Sequence, residues 1–353
     1  MIILINKIDN LIFENKSIPF IPEDVQYIHG MIVGANGSYF VKELNVMKCI
    51  ELLEIQKEIG IIKFNELMRK PKMVFLFPTE ENEFSATKED LDKANGIKTI
   101  HLNNFAQALS LGCWLVKDSC VSSTDIYQFN PILGYTSIMK RDACVTKSNG
   151  AIESVSFTET EINEAIDYMY DIYNFLLPEH SNMGRIQHSM SNGSSVWEID
   201  KAISSEGDSF AKALIYLQEA RRTGVLASKI DKYCSILESL FAIKENHTKY
   251  ISCITACYLS NNYSEQSSIK QNMLYAYGIR SDNSHGGKLK FLKDNNIDNL
   301  KQLSITIDEY VRKVFRKIIL QPQLNYKTDT ERQMVRAHFK QIGDTFLETK
   351  SNP

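Results

Sequence analysis

From Thr158 onward, apolar residues recur at intervals of three and four, and no other feature constrains the fold of this chain as much. The segment "TETEINEAIDYMYDIYNFLLP" opens on a capping box of Thr158 with Glu161, carries Ile162, Ile166, Met169, Tyr173 and Leu176 on one stripe, and stops at Pro178. "GDSFAKALIYLQEARRTG" repeats the pattern with Phe210, Leu214 and Leu217, and "VLASKIDKYCSILESLFAI" with Ile230, Tyr233, Cys234, Leu237 and Phe241. "TKYISCITACYLS" and "SSIKQNMLYAYGIRS" read as two more helices, the second turning Ile269, Met273 and Tyr277 inward. "NIDNLKQLSITIDEYVRKVFRKII" aligns Leu303, Ile307, Tyr310, Val314 and Ile318, and "DTERQMVRAHFKQIGDTFL" reads as a last helix. Amphipathic helices bury such stripes against one another, so residues 151–353 are expected to form an all-α helical bundle with a C-terminal helical extension.

The first 150 residues have another texture. "MIILI", "VQYIHGMIV", "MVFLF", "KTIHL" and "GCWLV" are short branched and aromatic runs that read as strands, and "GANG" marks a turn. Residues 39–59 have the length and composition of a helix. Residues 1–150 are therefore expected to be a mixed α/β module, a candidate sensor or regulatory domain, and the whole chain to be α+β. No phosphate-binding loop, dinucleotide fingerprint or nucleophile elbow appears in that module.

Composition narrows the function classes. With 353 residues the chain has room for two domains, and 43% hydrophobic with 24% charged residues is globular usage. A net charge of −3 argues against bulk coating of nucleic acid and leaves room for a local basic site. Seven cysteines, an odd number without a CxxC pair, suggest neither a disulfide framework nor a zinc site, and fit a reducing cytosol. Cys253 and Cys257, one helical turn apart, read as structural thiols. No signal peptide or membrane span is read, so a cytoplasmic protein without cofactor or metal is expected.

Chemistry concentrates in "YAYGIRSDNSHGGKLK". Arg280 ends an amphipathic helix, His285 follows after four residues, and Gly286 and Gly287 permit a left-handed stop. On a regular helix five residues turn about 140°, so the two side chains share a cleft only where the helix unwinds or meets a partner subunit. The spacing alone is weak, since Arg332 and His338 satisfy a looser form of it. Lys288, Lys290 and Lys293 collect positive charge beyond the histidine. Arginine can grip a phosphate with two prongs, and histidine titrates near neutrality and can take or give a proton.

"YGIRSDNSHGG", preceded by "KIDKYCSILESLF", resembles the ApeA-like branch of the HEPN (higher eukaryote and prokaryote nucleotide-binding) superfamily. The resemblance spans roughly residues 158–322 and is most specific at 229–241 and 275–287; it departs at Ser284, where the pattern carries an aliphatic residue. It implies a helical bundle, a homodimer in which two arginine–histidine motifs form a composite active site, and metal-independent cleavage of RNA. The 2′-hydroxyl would attack the neighbouring phosphate, leaving a 2′,3′-cyclic phosphate and a 5′-hydroxyl. It further implies a toxin-like effector of anti-phage defence that cleaves tRNA or mRNA in response to a phage-derived or cellular trigger.

Arg280 and His285 are thus the candidate catalytic pair, with Glu238, Tyr277, Ser281, Asn283, Lys288 and Lys290 as supporting or substrate-binding candidates. Glu238 reads equally as a partner of Arg280 or a solvated glutamate, and Tyr277 as a core tyrosine before a base-stacking one. The plain alternative for the pair is a set of cations complementing a helix C-terminus. At the level of the whole chain the alternative is a non-catalytic nucleotide-binding, RNA-binding or adaptor protein. His29, His101, His180, His188 and His247 show no ligand spacing and read as structural or surface residues.

Overall fold

The computed structural model describes residues 2–14, 17–20, 29–35, 40–41, 44–45, 55–77, 87–130, 133–140, 144–175, 209–244, 246–321, 324 and 329–349. The chain divides into two compact units, one of residues 1–144 and 153–170, the other of residues 145–152 and 171–353.

The first unit is built on strands β1 (Ile2–Asp9), β2 (Leu11–Ile12), β3 (Ser17–Phe20), β4 (His29–Val33), β5 (Phe40–Val41) and β6 (Leu44–Asn45), helices α1 (Ile55–Ile59) and α2 (Ile61–Arg69), strand β7 (Lys72–Phe77), helix α3 (Lys88–Val116), and strands β8 (Ser122–Asn130), β9 (Tyr135–Lys140) and β10 (Val155–Ser156). Six strands form one sheet in the order β3-β4-β7-β1-β8-β9, and every neighbouring pair in it is antiparallel. The module is therefore α+β, and the fold of the whole chain is α+β. Strand β1 lies at the centre and is buried on both faces, which is why "IILI" shows no alternation. Ile3, Ile5, Val74, Leu76, Tyr127 and Phe129 pack one face against Ile55, Ile59 and Leu67 of α1 and α2. On the other face Phe105 of α3 meets Phe75 of β7 at 5.9 Å between ring centroids.

Two sequence expectations are corrected here. "KTIHL" and "GCWLV" are not strands but parts of α3, a helix opened by a capping box in which the Asp90 amide donates to Thr87 Oγ1 at 3.2 Å and the Thr87 amide to Asp90 Oδ2 at 3.3 Å. Short branched runs look alike in a buried helix and a buried strand, and the cap at Thr87 is what separates them. Residues 40–45 include the short antiparallel pair β5–β6 where a helix was expected; among the described residues of that stretch Ile55–Ile59 is helical, and 46–54 lie outside them.

Helix α4 (Glu159–Phe175) opens as its sequence implies: the Glu161 amide donates to Thr158 Oγ1 at 3.3 Å and the Thr158 amide to Glu161 Oε2 at 2.8 Å. Its residues to Tyr170 belong to the sheet unit. Gly112 of α3 permits that packing, because a Cβ there would sit 2.2 Å from the Ala165 carbonyl oxygen. Leu176 and Pro178, which the sequence assigned to this helix, lie outside the described residues, as do His180 and His188.

The second unit holds α5 (Ser209–Arg222), α6 (Leu226–Phe241), α7 (His247–Leu259), α8 (Tyr263–Ser284), the short α9 (Phe291–Asp294), α10 (Ile297–Ile319) and α11 (Asp329–Thr349). Helix α6 touches α5, α7, α8, α10 and α11, so it buries far more than one stripe. Even Lys229 is fully buried on it, its ammonium donating to the Ala220 carbonyl at 2.7 Å. Tyr233 donates to Asp308 Oδ1 of α10 at 2.9 Å, and Asp308 is also ion-paired to Arg312. Residues 145–152 are tied into this unit by Thr146, whose amide donates to the Arg221 carbonyl at 2.7 Å, and by Ser304, whose hydroxyl donates to the Ser148 carbonyl at 2.6 Å. Among the described residues no helix is long and apolar enough to cross a membrane.

Candidate functional site

Arg280 stands on the last regular turns of α8, facing α6. Its Nη1 pairs with Glu238 Oε1, its Nε lies 3.2 Å from Asp231 Oδ1, and its guanidinium carbon lies 5.8 Å from the centroid of the Tyr277 ring. Asp231 and Glu238 are seven residues apart on α6, two turns on one face, so a single helix presents both carboxylates to one arginine. Tyr277 is buried and donates to Glu238 Oε1 at 3.1 Å. Asn283 Nδ2 reaches Asp231 Oδ2 at 3.4 Å.

This cluster is ordered by electrostatics. Burial works against the Arg280 charge, but the hydrogen bond and charge of Glu238 outweigh it and hold its pKa above the ordinary arginine value. Burial, with Cys234 and Glu238 adding to it, raises the Tyr277 phenol well above its usual range, so it stays a donor at any physiological pH. Burial likewise pushes up the thiol of Cys234, which is fully buried on α6. No acceptor among the described residues is paired with Arg280 Nη2, and the side chain keeps 27% of its exposure.

His285 is the C-cap of α8, and the helix ends there in a Schellman turn. The Gly287 amide donates to the Asp282 carbonyl at 2.9 Å and the Gly286 amide to the Asn283 carbonyl at 3.3 Å, with Gly286 left-handed at φ 67°. The turn needs glycine at Gly286, where an L side chain would be strained. Asp282 then draws the following loop back: the Lys290 amide donates to its Oδ2 at 2.7 Å and the Lys290 ammonium lies 3.3 Å from its Oδ1. These contacts, the backbone hydrogen bond first, hold the Asp282 carboxyl below the usual carboxylate range. His285, Ser281 and Lys288 are exposed, and the imidazole is bonded to no described side chain.

The structure thus joins Arg280 to Glu238 and Tyr277, brings Asn283 to the Asp231 that Arg280 also meets, and leaves His285, Ser281, Lys288 and Lys290 exposed at the same helix end. It does not bring Arg280 and His285 into contact within one chain. A buried Tyr277 is not placed to stack on a base; it supports the arginine.

Three residues of this region were passed over in the sequence. Asp231 carries the Arg280 Nε contact, and its signal was its spacing of seven from Glu238. Asp282 organises the loop behind His285. His247, read as structural or surface, places Nδ1 3.2 Å from Glu238 Oε1. It reaches that point because left-handed residues at Ala242 and Asn246 fold the start of α7 back beside the end of α6, which local sequence does not announce.

No family model matches this chain, and no curated protein and no solved structure is found to be similar to it.

Proposed function

We propose that the protein is a metal-independent endoribonuclease of HEPN type, with Arg280 and His285 as its catalytic pair. The observation that carries this reading is one helix end that holds an arginine whose Nη2 is outside its two ion pairs and, five residues on, exposes a histidine on a glycine-built turn followed by lysines. In the reaction a 2′-hydroxyl attacks its neighbouring phosphorus. His285 accepts the hydroxyl proton, a proton from water goes to the departing 5′-oxygen, and Arg280 Nη2 holds the phosphate oxygens as their charge grows. Because the two side chains of one chain stand apart, the pair is completed by the substrate or by a second protomer, in keeping with a homodimer. The biological role is that of a toxin-like effector in anti-phage defence, acting in the cytoplasm on tRNA or mRNA, with the sheet unit sensing the trigger.

A second reading has its own observation. Glu238 and Asp231 neutralise Arg280 and use two of its nitrogens, as they would in a purely structural tie between α6 and α8 of a non-catalytic binding protein. Incubating purified protein with labelled tRNA and structured mRNA fragments in EDTA separates the two. Cleavage that leaves cyclic phosphate ends and is lost in His285→Ala supports the ribonuclease. Undiminished cleavage by His285→Ala, or none by the wild type with every candidate RNA and trigger, sinks it.

A further inference from the structure

We infer that Tyr275 and Phe291 form a stacking platform for single-stranded RNA beside His285; for what the strand is delivered to, this rests on the ribonuclease reading. Tyr275 and Asp282 lie seven residues apart on α8, on one face of the helix. The hold of Asp282 on the Lys290 amide folds the chain back along that face, and Phe291, the next residue, meets Tyr275 edge-to-face with ring centroids 5.5 Å apart. Tyr275 keeps 45% of its exposure, and Leu274 and Leu292 beside it keep 36% and 38%. Tyr275 is thus exposed and Phe291 half-buried against it, and lysines flank Phe291 in the sequence. Lys288, Lys290 and Lys293 are exposed, the Lys290 side chain at 78%, against the exposed Asp294, while Asp282 is engaged beneath.

Bases stack on aromatic faces whatever their identity, and lysines follow the phosphates, so this combination fits a single strand whose bases are unpaired. A base pair inside a duplex offers no free face to such a platform. On an ideal helix His285 lies about 80° around from Tyr275 and about 15 Å further along the axis, against about 140° around from Arg280. A strand stacked on Tyr275 and running along the helix axis would therefore lead towards the end of α8 that carries the imidazole. A second copy of the chain is less suited to the patch, because a two-fold contact would set these lysines against themselves.

The test uses the full chain and a fluorescein-labelled single-stranded deoxyoligonucleotide, which has no 2′-hydroxyl and reports binding without cleavage. Tyr275→Ala and Phe291→Ala should each weaken binding about 5- to 100-fold with the salt dependence unchanged. Tyr275→Phe should bind as the wild type does. Lys288→Ala should weaken binding and reduce the slope against salt by about one. An affinity untouched by Tyr275→Ala, a duplex that binds as tightly as the single strand and loses as much in Tyr275→Ala, or a dimer that Tyr275→Ala converts to monomer in sedimentation would overturn the inference. Binding that depends on Tyr275 in a protein that cuts no RNA leaves the platform standing and removes the ribonuclease. Cleavage that depends on His285 with binding indifferent to Tyr275 does the reverse.

Discussion

Glu238 is the residue on which the candidate site turns. One oxygen accepts from Arg280 and Tyr277 and lies 3.2 Å from His247, so its removal takes the acceptor from Arg280 Nη1 and from a buried phenol together and leaves Asp231 as the remaining carboxylate on Arg280. Glu238→Ala should cost about 2–3 kcal/mol in urea unfolding, more than Glu238→Gln, which keeps an acceptor for Tyr277. Equal midpoints for wild type and Glu238→Ala would show that the cluster contributes nothing to the fold. Asp282 acts through ionisation. Its folded-state pKa is depressed, so its contribution is present in full above about pH 4, the unfolded value, and is lost as pH falls through the folded value. The stability difference between wild type and Asp282→Asn should shrink on acidification below that pH in denaturant titrations. A difference that persists in acid would mean that the carboxylate charge is not what holds the loop.

Elements carry their own constraints. Lys72 on β7 is fully buried, with its ammonium 3.4 Å from the Met68 carbonyl and no described carboxylate in ion-pair range, and burial pushes its pKa down to about 8. Between pH 8 and about 10.5 the unfolded chain holds a proton that the folded one has released, so stability rises across that window. Relative to Lys72→Met, the wild type should gain about 3 kcal/mol from pH 8 to 10.5, measured by denaturant unfolding. A flat difference would place the ammonium in a better-solvated site. Helix α3 depends on Gly112 in the same unit: Gly112→Ala would improve helix propensity and yet should destabilise by about 1–3 kcal/mol, because its methyl meets the Ala165 carbonyl. A stabilised variant would show that the two helices separate without cost.

For the whole molecule, the distance of His285 from the Arg280 cluster makes assembly part of the proposed chemistry. If the site is completed by a second protomer, mixed dimers of Arg280→Ala and His285→Ala chains should recover cleavage that neither variant shows alone. Absence of recovery in dimers shown to be mixed would place the pair within one chain. With a net charge of −3, the RNA of the proposed reaction would have to be met by local charge, for which the lysines after His285 are available.

The helices of the bundle, the capping box at Thr158 and the glycine stop after His285 were legible in the sequence, because periodicity, caps and left-handed turns are properties of neighbouring residues. So was the exposure of the Arg280–His285 helix end to lysines. What tertiary structure alone decided was where long-range partners fall. The two runs at 98–102 and 112–116 belong to one helix opened at Thr87, and in the second of them Cys113, Trp114 and Leu115 are buried. The centre of the sheet is antiparallel by the pairing of β1 with β7 and β8, strands far apart in sequence. Glu238 met Arg280 across 42 residues, and His247 reached Glu238 only through the left-handed turn between α6 and α7. Short-range pattern sets which residues can face one another along an element; packing sets which elements bring them within a hydrogen bond.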